Sequence, residues 1–304
     1  MHDLSPKLDG VTYANAMLEQ YSIPTRSGAV LDAWIRRPPG IAGQPLVLVI
    51  SPYYGGGDPR ISALGDPSTL FGEYLIPYGY AVGFVSVGGT GNSGGCFRDG
   101  GIIERQQLYD AVDYLSKRSW SNGAVASIGL SYDGTTSNEL FVEPPPGLKT
   151  VVPMDAISDY YRYSFNNGIR RNLNSTFPTY YYVVVGAAPA GLEGGVGPTE
   201  PESYVTGLSG EPCADQLAIQ QASINGYLTR DKTAHWDERD AIALVQSSLA
   251  LKRPPMFFIS GYQDANVDML MADGFLEAVQ RTGAPLHLWL GQWVHEFPQS
   301  DDAC

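Results

Sequence analysis

The chain has no apolar run near 18 residues, few histidines, few cysteines and a shortage of positive charge, and each lack excludes something. Without such a run, no segment is expected to cross a bilayer as a helix. Lys and Arg total 19 against 32 Asp and Glu, a net charge of −13 with no basic cluster. Nucleic acid and anionic membrane surfaces are therefore not expected as partners. The four histidines, His2, His235, His287 and His295, are scattered and form no H-E-x-x-H, so no catalytic metal is expected. The three cysteines, Cys96, Cys213 and Cys304, are odd in number and widely spaced, which suggests neither a disulfide framework nor a zinc site. No signal-peptide pattern opens the chain. A cytoplasmic location is the default expectation, and a secreted one would require a leader already removed.

What is present is enough for a large core: 304 residues with 43% apolar content, as one domain with an insertion or as two domains. Leu18 to Ile23 and Ala29 to Arg36 alternate as two antiparallel strands around Arg26-Ser27-Gly28. Pro45 to Ile50 is a short continuous apolar run, the pattern of a strand buried on both faces. Helices are expected at Thr69–Ile76, Ile102–Arg118, Gly134–Val142 and Val267–Arg281. Further strands are expected at Tyr80–Val87, Ala124–Leu130, Leu148–Pro153, Met256–Ser260 and Leu286–Leu290. Strands alternating with helices imply right-handed crossovers and a mostly parallel sheet. The alternation stops between about Asp155 and Arg253, where the chain is Gly-rich and carries Tyr160 to Tyr163 and Tyr180 to Tyr182. We read residues 1–154 and 254–304 as two parts of one α/β core and residues 155–253 as an inserted, mainly helical cap. The cap tyrosines fit substrate contact and ordinary aromatic packing equally well.

The densest chemical signal is Gly129-Leu130-Ser131-Tyr132-Asp133-Gly134. This G-x-S-x-x-G, one residue longer than the strict G-x-S-x-G, lies between a strand and a helix. In that context the small residues allow a sharp turn that leaves the serine hydroxyl exposed at the carboxyl end of the sheet. The strict G-x-S-x-G, Gly91-Asn92-Ser93-Gly94-Gly95, is followed by more Gly and Asp rather than by a helix, so Ser93 is not expected to be a nucleophile. The overlapping G-x-G-x-x-G from Gly89 to Gly94 lacks the same helix, and no cofactor is expected there.

A serine needs a base, and the base needs an acid to hold its tautomer. After Ser131 the chain order for such a site is acid, then His. The strand ending near Ser260 leads into Gly261-Tyr262-Gln263-Asp264, and the strand ending near Leu290 leads into Gly291-Gln292-Trp293-Val294-His295. Asp264 is thus the expected acid, with Asp268 and Asp155 as alternatives. His295 is the expected base, ahead of His287 inside a strand and His235 in the cap region. One oxyanion donor should be the backbone N–H of Tyr132. The second should come from Ser51-Pro52-Tyr53-Tyr54-Gly55-Gly56-Gly57, through an amide or a tyrosine hydroxyl.

Taken together, Ser51-Pro52-Tyr53-Tyr54, Trp120-Ser121-Asn122-Gly123, the Ser131 motif, Gly261 to Asp264 and Gly291 to His295 resemble the Xaa-Pro dipeptidyl-peptidase and cocaine-esterase-like family of α/β-hydrolases, peptidase family S15. The resemblance runs from about residue 18 to His295. It implies an α/β-hydrolase fold, Ser131 as nucleophile, Asp264 as acid, His295 as base, and an oxyanion hole from the Tyr53 hydroxyl and the Tyr132 amide. Ser86 and Gly88 stand where the esterase branch usually has Asp and Arg, which favours the peptidase branch; the spacing from Gly291 to His295 is closer to the esterases. The expected substrate is a small peptide with a free amino terminus held by carboxylates, for which Asp159, Glu193 and Glu211 are candidates. An ester or amide is the second expectation, and a non-catalytic remnant of the fold the third. The family usually continues into a jelly-roll domain, and that domain is expected to be absent here because the sequence stops at Cys304. Self-association into a homo-oligomer is left open.

Overall fold

The structure is a computed structural model, and it describes residues 7–53, 67–166, 169–171 and 232–298. Tyr54, Gly55 to Gly57, Tyr180 to Tyr182, Glu193 and Glu211 lie outside the described residues. Ten strands and seven α-helices are described. The strands are β1 (Met17–Pro24), β2 (Val30–Arg37), β3 (Gln44–Ser51), β4 (Ala81–Ser86), β5 (Ser121–Leu130), β6 (Leu148–Met154), β7 (Phe165–Asn166), β8 (Ile169–Arg170), β9 (Met256–Gly261) and β10 (Leu286–Gly291). The helices are α1 (Pro67–Leu75), α2 (Gly101–Ser116), α3 (Tyr132–Val142), α4 (Tyr160–Ser164), α5 (Ala234–Asp237), α6 (Ala241–Gln246) and α7 (Phe275–Arg281).

Eight strands form one sheet in the order β1-β2-β4-β3-β5-β6-β9-β10, and β7 and β8 form a separate two-stranded pair. Strand β2 is antiparallel to both β1 and β4; every other neighbouring pair is parallel. The pattern of apolar residues explains these places. β4 is buried along its whole length and β3 along nearly all of it, because each lies between two strands and under helices. Leu46, Leu48 and Ile50 are almost wholly buried in the main core, together with Leu108, Ala111, Val112 and Leu115 of α2 and Leu140 and Phe141 of α3. Each of the Leu, Ile, Val and Phe side chains among them contributes roughly 1.5–3 kcal/mol through burial. Ala241 and Val245 of α6 join the same core.

Two expectations need correction. The helix expected over Val267–Arg281 is broken. The Asp268 side chain accepts from Leu270 N–H at 3.1 Å and caps a 3₁₀ turn over Met269–Met271. Gly274 then adopts φ 73°, a left-handed conformation that resets the chain before α7. The cysteine reading also fails, because Cys96 is disulfide-bonded. Its partner lies outside the described residues. Wide spacing in sequence carried no information about which cysteines meet in space.

The segment after β6 packs as a second cluster. Tyr160, Tyr163, Phe165 and Trp236 are buried with Ile157, Val267 and Met271. Tyr160 and Tyr163 are therefore packing residues of this cluster. No described helix is long and apolar enough to cross a membrane.

Candidate active site

Strands β5, β6, β9 and β10 are consecutive neighbours and parallel, so the loops leaving their carboxyl ends share one edge of the sheet. Ser131 follows β5, Asp155 follows β6, Asp264 follows β9 and His295 follows β10. This edge is where open α/β sheets place their chemistry.

Ser131 sits between β5 and α3 with φ 63° and ψ −124°, a strained conformation for a residue with a Cβ. Three non-glycine residues with positive φ are described, Asp99, Ser131 and Asp155; Ser131 and Asp155 directly follow β5 and β6, and Asp99 lies just before α2. The turn at Ser131 is held by its N–H donating to the Met154 carbonyl at 2.9 Å and its carbonyl accepting from Thr135 N–H at 2.8 Å. The two glycines of the motif are steric necessities. A Cβ on Gly129 would lie 2.6 Å from the Asp133 carbonyl carbon, and one on Gly134 would lie 2.7 Å from the Met154 oxygen.

The Tyr53 hydroxyl reaches this turn from the end of β3. It lies 3.4 Å from Ser131 Oγ and accepts from the Tyr132 N–H at 3.4 Å. The Tyr53 ring meets the Tyr132 ring edge-on at 6.3 Å between centroids. The Tyr132 side chain is itself locked. Its hydroxyl donates to the Glu104 carboxyl group, 2.8 and 3.0 Å from its two oxygens, and accepts from Gly100 N–H at 2.9 Å. Burial pushes Glu104 up to about 7, against the bonds from Tyr132 and Gly100, and burial likewise raises Asp99 to about 7.

The second group is Asp264 with His295. Asp264 Oδ1 accepts from the N–H groups of Asn266 and Val267 at 2.7 and 2.9 Å. Its Oδ2 lies 2.6 Å from His295 Nδ1. The carboxylate is buried and fixed by two amides, so it aims the imidazole and leaves Nε2 as the nitrogen available for proton transfer. No hydrogen bond joins Ser131 to His295 among the described residues. Catalytic contacts of this kind are often long before substrate binds.

Two further features shape this edge; sequence reasoning missed the first and named the second only as an alternative acid. Trp293 clamps the two loops together: its carbonyl accepts from Gln263 N–H at 3.2 Å, and its ring fills the space that side chains would need at Gly261 and Gly291. The signal available was the pair of glycines ending β9 and β10. Asp155 is the other. Its Oδ1 accepts from Gly261 N–H at 2.8 Å, and burial raises it to about 6. Donor atoms of Asp155, Asp264 and His295 lie within 4.8 Å of one another, a spacing that could also suit a cation. The His295 Nδ1, however, is already bound to Asp264.

The remaining candidates lie elsewhere. Asp268 pairs with Arg171 at 2.5 Å. Ser93 is fully buried and donates to the Ser86 carbonyl at 2.7 Å, and α2 does not open until Gly101. His235 packs edge-on against Trp236, and burial lowers it to about 3. His287 is exposed on the edge strand β10. Asp159 caps α4, accepting from Tyr161 and Arg162 N–H groups at 2.9 and 3.1 Å.

Comparison with known proteins gives the family and the fold. A protein from Streptomyces avermitilis that carries an Xaa-Pro dipeptidyl-peptidase name is 28% identical over 325 residues, covering 94% of this chain and 44% of its own length. A Bacillus anthracis protein with the same type of name is 27% identical, covering 76% of this chain and 38% of its own length. The chain thus spans less than half the length of these relatives. Among solved structures, an α-amino acid ester hydrolase matches with a TM-score of 0.66 at 23% identity, over 96% of this chain and 50% of that one. An aminopeptidase from a marine sediment Thaumarchaeota archaeon matches with a TM-score of 0.66 at 22% identity, over 97% of this chain and 51% of that one. At such identities these structures establish the α/β-hydrolase fold and nothing finer. The sequence model of the X-Pro dipeptidyl-peptidase (S15) family matches residues 27–296, and the chain belongs to that family of hydrolases.

Proposed function

We propose that the protein is a serine hydrolase that works through an acyl-enzyme, with Ser131 as nucleophile, His295 as base and Asp264 as the acid that orients it. The observation that carries the reading is the Tyr53 hydroxyl, 3.4 Å from both Ser131 Oγ and the Tyr132 nitrogen. A nucleophile and two hydrogen-bond donors then converge where a tetrahedral oxyanion would form. Ser131 Oγ attacks the carbonyl carbon, and His295 Nε2 takes the hydroxyl proton. The oxyanion receives hydrogen bonds from Tyr53 and Tyr132. The imidazolium gives its proton to the leaving group, and water repeats the sequence on the acyl-enzyme.

For the acyl group we propose Xaa-Pro, released from the amino terminus of a small peptide, on the strength of the family match and the names of the relatives. Asp159 is a poor anchor for the substrate amine, because its Oδ1 is spent on two amides of α4. A second reading, an esterase or amidase with the same three residues, is favoured by the fold shared with an α-amino acid ester hydrolase. Hydrolysis of Ala-Pro-p-nitroanilide beside p-nitrophenyl butyrate decides between them. Anilide cleavage that disappears on acetylating the amino terminus supports the peptidase. Ester cleavage alone supports the second reading. Ser131→Ala should abolish labelling by a fluorophosphonate; labelling that survives would overturn the nucleophile.

A further inference from the structure

Asp155 is a buried acid that the mechanism above leaves unused. It lies one residue beyond β6, 1% exposed, at φ 41°. Such a backbone is strained for an aspartate and persists only where surrounding contacts enforce it. Two contacts do so: its N–H donates to the Ile259 carbonyl at 3.0 Å, and its Oδ1 accepts from Gly261 N–H at 2.8 Å. Both tie it to the end of β9, from which the Asp264 loop departs. Its Oδ2 is buried and has no hydrogen-bond partner among the described residues. The charged and titratable groups acting on it are Asp264 from the loop after β9 and His295 from the loop after β10, together with the Ser260 hydroxyl.

We infer that Asp155 is a second carboxylate of the triad, a positioning residue that anchors the Asp264 loop through Oδ1 and whose charge biases His295. This rests on the serine-hydrolase reading. Its physics is coupling between close charges. Burial disfavours the charge on Asp155, and repulsion by an ionised Asp264 adds to that cost, so Asp155 is raised to about 6. The positive charge of His295 acts the other way and lowers Asp155. Coupling is reciprocal: an ionised Asp155 favours the imidazolium that forms as Ser131 is deprotonated. The second charge is therefore best tolerated at the moment that positive charge appears on the base.

Asp155→Asn separates the two roles, since the amide oxygen can still accept from Gly261 but carries no charge. The expected result is an acid limb of kcat/KM displaced to lower pH by about 1 unit, because an opposite charge within ~4–6 Å has been removed. Asp155→Ala should lower kcat further, as the Gly261 anchor is lost as well. An Asp155→Asn profile that superimposes on the wild type, with normal fluorophosphonate labelling, overturns the inference and leaves the serine reading intact. Wild-type protein that is not labelled at all overturns the serine reading itself. Should the Asp155 variants not fold, His295→Gln serves instead. The Asp155 side-chain carboxyl resonance, followed by NMR, should titrate near 6 in the wild type and higher once the positive charge opposite it is gone. An unchanged midpoint refutes the coupling.

Discussion

Replacing Tyr53 by Phe removes one oxygen and little else, which makes it the sharpest probe of the site. The hydroxyl lies 3.4 Å from Ser131 Oγ and 3.4 Å from the Tyr132 nitrogen, and in the proposed mechanism it is one of two donors to the oxyanion. Losing one such donor costs about 10²–10³ in kcat, or about 2.7–4 kcal/mol. The ring keeps its edge-on contact with Tyr132 at 6.3 Å. The lost hydroxyl is only half-buried, and stability should change by less than about 0.5 kcal/mol. KM should hardly move, because the bond matters in the transition state and not in the bound substrate. The assay is steady-state kinetics on Ala-Pro-p-nitroanilide and p-nitrophenyl butyrate, with a thermal melt as control. Both substrates pass through an oxyanion, so whichever is turned over should lose the same factor in kcat. A loss below about threefold, with the melt unchanged, would refute the role of the hydroxyl.

The other expectations concern the scaffold. Glu104 is raised from 4.5 to about 7 by burial, so it burdens the fold only when ionised. Its contribution is favourable at low pH and is lost as pH rises through that window, on the order of 3 kcal/mol. Glu104→Gln should flatten the fall in melting temperature between those pH values, and an unchanged slope would contradict this reading. Gly134→Ala must push apart α3 and the end of β6, since its Cβ would sit 2.7 Å from the Met154 oxygen. Activity should fall by more than about tenfold through displacement of Ser131, and a fully active variant would show that the elbow tolerates the shift. Cys96, being disulfide-bonded, should resist alkylation until a reductant is added; mass spectrometry showing alkylation without reductant would count against the bond.

The sequence by itself determined whatever depends on neighbours along the chain. The continuous apolar runs of β3 and β4 mark strands covered on both faces, and the alternation of strand and helix marks a parallel sheet. The spacing of Gly129, Ser131 and Gly134 marks a turn that only small residues permit, and parallel strands put the loops bearing Ser131, Asp264 and His295 on one edge. Local periodicity carries no record of what a loop meets across the sheet. That is why the apolar pattern predicts one helix over Val267–Arg281, whereas the turn capped by Asp268 and the left-handed backbone at Gly274 break it. Tertiary structure alone decided that the Tyr53 hydroxyl lies over the Ser131 turn, that Trp293 fills the space beside Gly261 and Gly291, that Asp155 stands beside Asp264 and His295, and that Cys96 is bonded. Each of these depends on packing between segments far apart in the chain, and the distances between their side chains are set by how the strands stack.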